Sequence, residues 1–120
     1  MANILVIDDS RVILDMMSAI LEGAGHQVTV SENGQEALQA AKTSRFDLIF
    51  SDINMPKMSG ITLLGELKKL ANNEFTPVVM VTTESAQYRK DKAKSLGAAG
   101  WLEKPISQER VLKAVERLAG

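Results

Sequence analysis

The stretch Ile4-Leu5-Val6-Ile7-Asp8-Asp9-Ser10 decides the fold, because it joins an uninterrupted apolar run to a pair of carboxylates. Four consecutive apolar residues are typical of a strand in a parallel sheet, which is buried on both faces. In doubly wound α/β proteins, ligands bind at the carboxyl ends of such strands. The stretch therefore indicates both a fold class and the edge of the sheet that carries a site.

The rest of the chain repeats this alternation. Further strands are predicted at residues 28–30, 48–50, 78–81 and 100–102. Apolar residues spaced by three and four predict helices around Ile13, Met16, Met17, Ile20, Leu21 and Ala24; Ala37, Leu38 and Ala41; Ile61, Leu64, Leu67 and Leu70; and Val111, Leu112, Val115 and Leu118. A weakly amphipathic helix is predicted over residues 86–96. Five strands alternating with five helices predict an α/β fold with a doubly wound parallel sheet, in which strands 4–7 and 78–81 are interior.

Composition narrows the class of protein. The 120 residues fit one domain, and 14 basic against 15 acidic residues give no general attraction to nucleic acid. Cysteine is absent, so thiolate metal sites and cysteine nucleophiles are excluded. No apolar run approaches the ~20 residues that span a bilayer, and the N-terminus has no signal-peptide pattern. We expect a single cytoplasmic domain over residues 1–120, without membrane insertion and without an output domain.

Polar residues follow four of the predicted strands. Asp8 and Asp9 follow the first, Asp52 the third, Thr82 the fourth and Lys104 the fifth. Each has an ordinary explanation: a helix cap, a turn residue, a β-branched strand end or a solvated lysine. Their joint occurrence at one edge of the sheet favours a functional site.

Electrostatics indicate what this site binds. Two carboxylates ~5 Å apart at an effective dielectric of ~20 repel by about 3 kcal/mol, so a cluster of three needs raised pKa values or a cation. Hard oxygen ligands without histidine or cysteine suit Mg²⁺, with Mn²⁺ or Ca²⁺ as substitutes. One aspartate would then be a nucleophile that forms an acyl phosphate, while an ammonium and a hydroxyl bind phosphoryl oxygens.

With these motifs the chain resembles bacterial response-regulator receivers, and among them the stand-alone chemotaxis regulators called CheY. The resemblance covers the whole chain and implies a flavodoxin-like (βα)5 fold with strand order 2-1-3-4-5. It implies that Asp52 accepts the phosphoryl group. Asp9, Asp52 and the main-chain carbonyl of Asn54 would ligate the metal, and Asp8 would act through a water molecule.

The resemblance also assigns roles around the phosphoryl group. Thr82 corresponds to the switch hydroxyl of receivers and Lys104 to the lysine of their phosphorylation site. Asn54 and Glu84 correspond to positions that tune dephosphorylation. The Lys104-Pro105 peptide is expected to be cis, although only ~5–6% of X–Pro bonds in folded proteins are cis.

The implied output surface comprises the fourth helix, the fifth strand and the fifth helix. Its expected residues are Thr82, Tyr88, Lys90, Lys94, Trp101 and Arg110. Trp101 stands where many receivers have tyrosine or phenylalanine, and Ile106 stands where many have phenylalanine, so a phosphorylation-linked ring movement would be altered. The basic stretch at residues 88–94 is also compatible with an ordinary solvated helix face.

Partners and activity follow from the same resemblance. A histidine kinase would be the phosphodonor, and a monomer would act on a phosphorylation-dependent target such as the flagellar motor switch. Beyond self-catalysed phosphoryl transfer and autodephosphorylation, no enzyme activity is expected. A phosphorelay intermediate and a phosphate sink are alternatives within the family.

Two hypotheses about function outside this family are disfavoured. A small Mg²⁺-dependent aspartyl phosphohydrolase would place a second aspartate two residues after the nucleophile, where this chain has Asn54. A flavodoxin-like carrier would need a hydroxyl- and glycine-rich phosphate loop after the first strand, where this chain has Asp8 and Asp9. His26, the single histidine, is expected at the surface away from the site.

Overall fold

Five parallel strands form one sheet in the order β2-β1-β3-β4-β5, so the predicted doubly wound α/β fold is confirmed. This computed structural model describes residues 1–83 and 87–119, with the backbone alone for residues 87–90. The strands are β1 (Asn3–Ile7), β2 (Gln27–Ser31), β3 (Leu48–Asp52), β4 (Val78–Thr82) and β5 (Gly100–Glu103). The helices are α1 (Arg11–Gly23), α2 (Gly34–Thr43), α3 (Gly60–Leu67), α4 (Gln87–Ser95) and α5 (Gln108–Ala119). A short 3₁₀ helix covers Ala71–Asn73.

The interior strands separate two apolar cores. Alternate side chains of a strand point to opposite faces, so Ile4 and Val6 join the core beneath α1 and α5, whereas Leu5 and Ile7 join the core beneath α2 and α3. Every residue of β3 and β4 is buried, which explains why these strands are continuous apolar runs until their last residues. The polar residues Asp52 and Thr82 lie at the carboxyl ends of these two strands.

Four sequence expectations need correction. Ala24 is the exposed C-cap residue that follows α1 and is not part of the buried side of that helix. Leu70 does not belong to α3, which ends at Leu67, because bonds of the i→i+3 type tighten the last turn and Leu70 precedes the 3₁₀ helix. Met16 lies on the exposed side of α1, with 41% of its surface accessible. His26 is partly buried, and its Nδ1 accepts a hydrogen bond of 3.0 Å from the backbone N–H of Ala2.

Among residues 1–83 and 87–119, no helix combines the length and the apolar character that crossing a membrane requires.

Candidate functional site

Strand ends bring the predicted site residues to one edge of the sheet. Asp8 and Asp9 follow β1, Asp52 is the last residue of β3, and Thr82 is the last residue of β4. The register pairs Asp52 with Val81 and therefore sets Thr82 one residue further along the same edge. Lys104 follows β5, and its backbone N–H donates a 2.8 Å hydrogen bond to the Thr82 carbonyl. The sheet thus brings four separate segments of the chain together at one edge.

Three carboxylates form the centre of this site. Each of Asp8, Asp9 and Asp52 offers a carboxylate oxygen, and these oxygens all lie within 4.8 Å of one another. Asp8 and Asp52 are almost fully buried, whereas Asp9 is exposed at the mouth of the cluster. The cluster therefore has a buried base and a solvent-facing entrance.

Both carboxylate oxygens of Asp8 already accept hydrogen bonds from the protein. The backbone N–H of Ser10 donates to Oδ1 at 2.9 Å, and the ammonium of Lys104 lies 2.9 Å from Oδ2. Ser10 itself is the N-cap of α1, since its hydroxyl accepts from the backbone N–H of Ile13. Because Ser10 caps the helix, the reading of the acidic pair as mere helix caps is wrong.

Lys104 connects Asp8 to Asp52. Its Nζ lies 3.5 Å from Oδ1 of Asp52, and 15% of the lysine side chain is exposed. Burial by itself would lower the pKa of Lys104, but the hydrogen bond to Asp8 and the charges of Asp52 and Asp8 outweigh it and raise the pKa. The lysine is therefore held in its charged form between the two carboxylates.

Asp52 has the opposite balance. Burial, followed by the nearby charge of Asp8, raises the pKa of Asp52 from 3.8 to about 6, although Lys104 and a hydrogen bond from the backbone N–H of Asn54 act to lower it. The exposed Asp9 raises the pKa further by a smaller amount. In the protein alone, one ammonium does not neutralise this cluster, so the site favours an additional cation.

The donor set fits a hard divalent cation. The described site offers carboxylate oxygens without sulfur or imidazole nitrogen, which is the ligand chemistry of Mg²⁺. Both oxygens of Asp8 accept bonds from Ser10 and Lys104, which agrees with the expectation that Asp9 and Asp52 are the carboxylates that bind the metal directly. The side chain of Asn54 is exposed, and its carbonyl remains the predicted third protein ligand.

The loop between β3 and α3 shows features that the sequence reading missed. The backbone N–H of Gly60 donates a 2.8 Å hydrogen bond to the carbonyl of Ile53, so the loop is closed at its base. A Cβ atom at Gly60 would collide with the backbone carbonyl of Asp52. At the tip, Lys57 has φ 71°, and Met58 N–H bonds the Pro56 carbonyl at 2.8 Å, which is a γ-turn.

These features have only a weak signature in the sequence. A glycine eight residues after the last residue of a strand is compatible with many loops, and its steric requirement comes from a contact with the preceding strand. The Lys104-Pro105 peptide, in contrast, is cis as the resemblance implied.

The predicted switch and output residues are placed only in part. Thr82 is fully buried. Trp101 pairs with Met80 in the β4–β5 register and packs against the core on the α2–α3 side of the sheet. Arg110 is exposed on α5 and Lys94 is exposed on α4. Glu84 and the side chains of Tyr88 and Lys90 lie outside the described residues, so their roles remain predictions.

Trp101 also lies between two surface cavities. One, of about 360 Å³, is lined by Trp101, Leu102, Arg110, Lys113, Ala114 and Arg117. The other, of about 210 Å³, is lined by Ala93, Lys94, Ala98, Ala99, Gly100 and Trp101. The predicted output face is therefore concave, and its described rim is basic.

An acidic cluster with a paired ammonium at the carboxyl edge of a 2-1-3-4-5 sheet defines the class of CheY-like α/β proteins. Residues 4–116 match the family model of the response regulator receiver domain, and the chain belongs to this family. Receiver domains take phosphate from histidine kinases of two-component systems and act on downstream targets.

Relatives and solved structures agree with this assignment. Protein PilH of Pseudomonas aeruginosa is 37% identical over 121 residues, with 100% of both chains covered. The structure of the Vibrio cholerae chemotaxis protein CheY4 is 42% identical with a TM-score of 0.94, and 98% of each chain is covered. The signal transduction histidine-protein kinase BarA of Escherichia coli is 34% identical over 109 residues, which are 91% of this chain and 12% of that kinase.

One further structure concerns the metal. The receiver domain of the sensor histidine kinase PA1611 from Pseudomonas aeruginosa is described with a magnesium ion coordinated in its active site cleft. It is 24% identical with a TM-score of 0.91, and 99% of this chain and 98% of that chain are covered, so the likeness concerns the fold.

Proposed function

We propose that this receiver is a phosphorylation switch that accepts one phosphoryl group on Asp52, with Mg²⁺ held by Asp9, Asp52 and the carbonyl of Asn54. The observation that carries the proposal is the placement of Asp52. Its carboxylate is 4% exposed at the base of the acidic cluster, within 3.5 Å of the Lys104 ammonium. A buried carboxylate beside a fixed cation is suited to nucleophilic attack on an anionic phosphoryl group.

The chain's own residues divide the work. A carboxylate oxygen of Asp52 attacks phosphorus, the P–N bond of a phosphohistidine donor breaks, and its electron pair leaves with the imidazole nitrogen. Lys104 offsets the added negative charge, and the Thr82 hydroxyl donates to a phosphoryl oxygen. Bound Mg²⁺ would supply positive charge to the same oxygens. Asp8, anchored by Ser10, orients Lys104.

A protein phosphodonor is supported by the surface beside the site. Val12 and Met16, one turn apart on α1, are 67% and 41% exposed. Because α1 begins two residues after Asp9, Val12 lies in the first helical turn after the acidic cluster and Met16 one turn further along. Exposed apolar side chains that adjoin a reactive centre suit docking of a helical partner. A histidine kinase is the donor class that the receiver family uses.

Output by the α4–β5–α5 face in a chemotaxis-type system is the finer proposal. The likeness to the chemotaxis protein CheY4 over 98% of each chain supports it. The groove between Trp101 and Arg110, with further basic residues on its rim, suits an acidic amphipathic segment of a target such as a flagellar motor switch. We expect the receiver to act as a monomer.

A phosphorelay intermediate or phosphate sink is the second candidate. The similarity to a 12% segment of the kinase BarA favours it, because that segment belongs to a chain named as a histidine kinase. The two candidates differ in the fate of the phosphoryl group. Rapid return of the group to a phosphotransfer protein marks the relay, whereas a retained group with tighter target binding marks the switch.

The phosphohydrolase alternative is tested with two substrates. Acetyl phosphate with Mg²⁺ should load one phosphoryl group per chain, and p-nitrophenyl phosphate should show no sustained turnover. An Asp47→Asn variant is a matched control, because this aspartate lies before β3, outside the acidic cluster. Sustained turnover of p-nitrophenyl phosphate that Asp52→Asn abolishes and Asp47→Asn retains would contradict the switch.

A further inference from the structure

We propose that Met58, seated on Gly34, positions the β3–α3 loop for metal binding. A Cβ atom at Gly34 would lie 2.6 Å from the Met58 sulfur and 3.1 Å from its Cβ and Cγ. The methionine stem therefore rests directly on the glycine at the start of α2. A side chain at residue 34 would have to displace the side chain of Met58.

The contact joins two loops that have no shared strand pairing. Gly34 follows β2, which is the edge strand next to β1, whereas Met58 belongs to the loop that follows the central strand β3. Between them lies a cavity of about 320 Å³ that opens beside Asp9. It is lined by Asp9, Glu32, Asn33, Gly34, Gln35, Pro56, Lys57 and Met58. The Met58–Gly34 contact sets the width of this cavity.

The loop is also held near its base and by Met55, which is buried in the core. Gly60 closes it onto Ile53, and the backbone N–H of Asn54 bonds the carboxylate of Asp52. The distal part has the γ-turn at Lys57, whose positive φ is unfavourable for a lysine. A backbone in a sparsely populated conformation persists only where its surroundings hold it. Met58, directly after this turn, provides the hold.

The inference rests on the proposed metal site and adds a positioning residue to it. Supporting contacts behind metal ligands commonly change metal affinity by 10- to 100-fold when they are lost. Met58 acts through the loop that carries Asn54, so its effect falls at the lower end of that range. A merely structural contact would change the stability of the metal-free protein and leave its Mg²⁺ affinity unchanged.

The test is a double-mutant cycle read by Mg²⁺ affinity. Mg²⁺ alone is titrated into the full chain, and affinity is obtained from the rise of the thermal unfolding midpoint. Gly34→Ala should weaken Mg²⁺ binding about tenfold, because it pushes the loop outward. Met58→Ala should also weaken it about tenfold, because the loop then loses its support on α2. The double variant should match Met58→Ala, since the overlap is then removed.

Gly65→Ala is the matched control. It makes the same chemical change within α3, where a Cβ atom would meet nothing within 4 Å, and should leave Mg²⁺ affinity unchanged. Wild-type Mg²⁺ affinity in both single variants would overturn the inference and leave the proposed metal site intact. Multiplied losses in the double variant would also overturn it. Absence of any Mg²⁺ effect on the unmodified chain would overturn the metal site itself.

Discussion

Lys104 lies closer to Asp8 than to Asp52, with its Nζ 2.9 Å from the former and 3.5 Å from the latter. The ammonium is thus anchored on Asp8 and remains within reach of Asp52, the proposed phosphoryl acceptor. New phosphoryl oxygens on Asp52 would draw Lys104 across this short distance. The ion pair with Asp8 therefore holds the Lys104 ammonium close to Asp52 in the unphosphorylated protein.

Replacing Lys104 tests this role in stability. Lys104→Met leaves Asp8 and Asp52 buried without their cation, so it should destabilise the metal-free protein at pH 7 by about 3 kcal/mol. Lys113→Met is the control, because Lys113 pairs with Glu109 at 3.9 Å on an exposed surface. Urea unfolding in EDTA measures both variants. Equal, small losses in the two would show that the Lys104 ion pair is energetically unimportant.

The raised pKa of Asp52 predicts how stability depends on pH. A carboxyl whose pKa rises from 3.8 in the unfolded chain to about 6 in the folded protein binds its proton more tightly when folded. Its contribution to stability is complete below pH 3.8 and is lost as the pH rises through about 6. The loss corresponds to at most about 3 kcal/mol.

Urea unfolding in EDTA between pH 4 and 7.5 compares the wild type with Asp52→Asn. The wild type should lose stability relative to the variant as the pH rises, so that Asp52→Asn is the more stable protein at pH 7. Saturating Mg²⁺ should reduce this difference, because a cation stabilises the ionised carboxylate. Parallel pH profiles in EDTA would show that Asp52 ionises normally.

The absence of a side chain at Gly60 is required by the nearby backbone of Asp52. Gly60→Ala places a Cβ atom against the backbone of Asp52 and Ile53, which side-chain rotation cannot relieve. The variant should lose about 2–3 kcal/mol of unfolding free energy and accept phosphoryl groups more slowly. Gly65→Ala, in open space on the same helix, should gain about 0.5–1 kcal/mol. Similar unfolding midpoints for the two variants would contradict the proposed overlap.

The sequence predicts the sheet and the strand-end residues well for one reason. Apolar runs buried on both faces end within one or two residues of the point where the chain leaves the sheet, so the polar residues Asp52 and Thr82 that follow them lie at the ends of β3 and β4. The resemblance added the strand order and the cis peptide before Pro105, and both are confirmed.

Other features depend on contacts between distant parts of the chain, which a local pattern does not contain. Asn73 donates to the carbonyls of Ala41 and Ser44 and accepts from Phe46, so the end of α2 is held by a residue of the 3₁₀ helix. The end of α3 at Leu67, earlier than predicted, lies shortly before this 3₁₀ helix. The Met58–Gly34 contact and the preference of Lys104 for Asp8 likewise arise only when loops from different strands meet.

Trp101 reports on the output face. Its strand partner Met80 and the proposed switch residue Thr82 are two apart on β4, so Trp101 and Thr82 share one face of the sheet. Movement of the Thr82 hydroxyl toward a phosphoryl group should change the packing of the indole. We predict a change in tryptophan emission on addition of beryllofluoride and Mg²⁺, which Thr82→Ala abolishes.

Trp101 is the single tryptophan, so the signal has one source. Thr83→Ala, at the exposed residue next to Thr82, is the control and should retain the response. An emission change of equal size in Thr82→Ala would separate Trp101 from the switch hydroxyl.

The most direct test of the central claim is intact-mass analysis after incubation with acetyl phosphate and Mg²⁺. The account predicts the added mass of one phosphoryl group on the wild type and on Asp47→Asn, none on Asp52→Asn, and none when EDTA removes the metal. Labelling of Asp52→Asn to the wild-type extent would contradict the assignment of Asp52 as the phosphoryl acceptor.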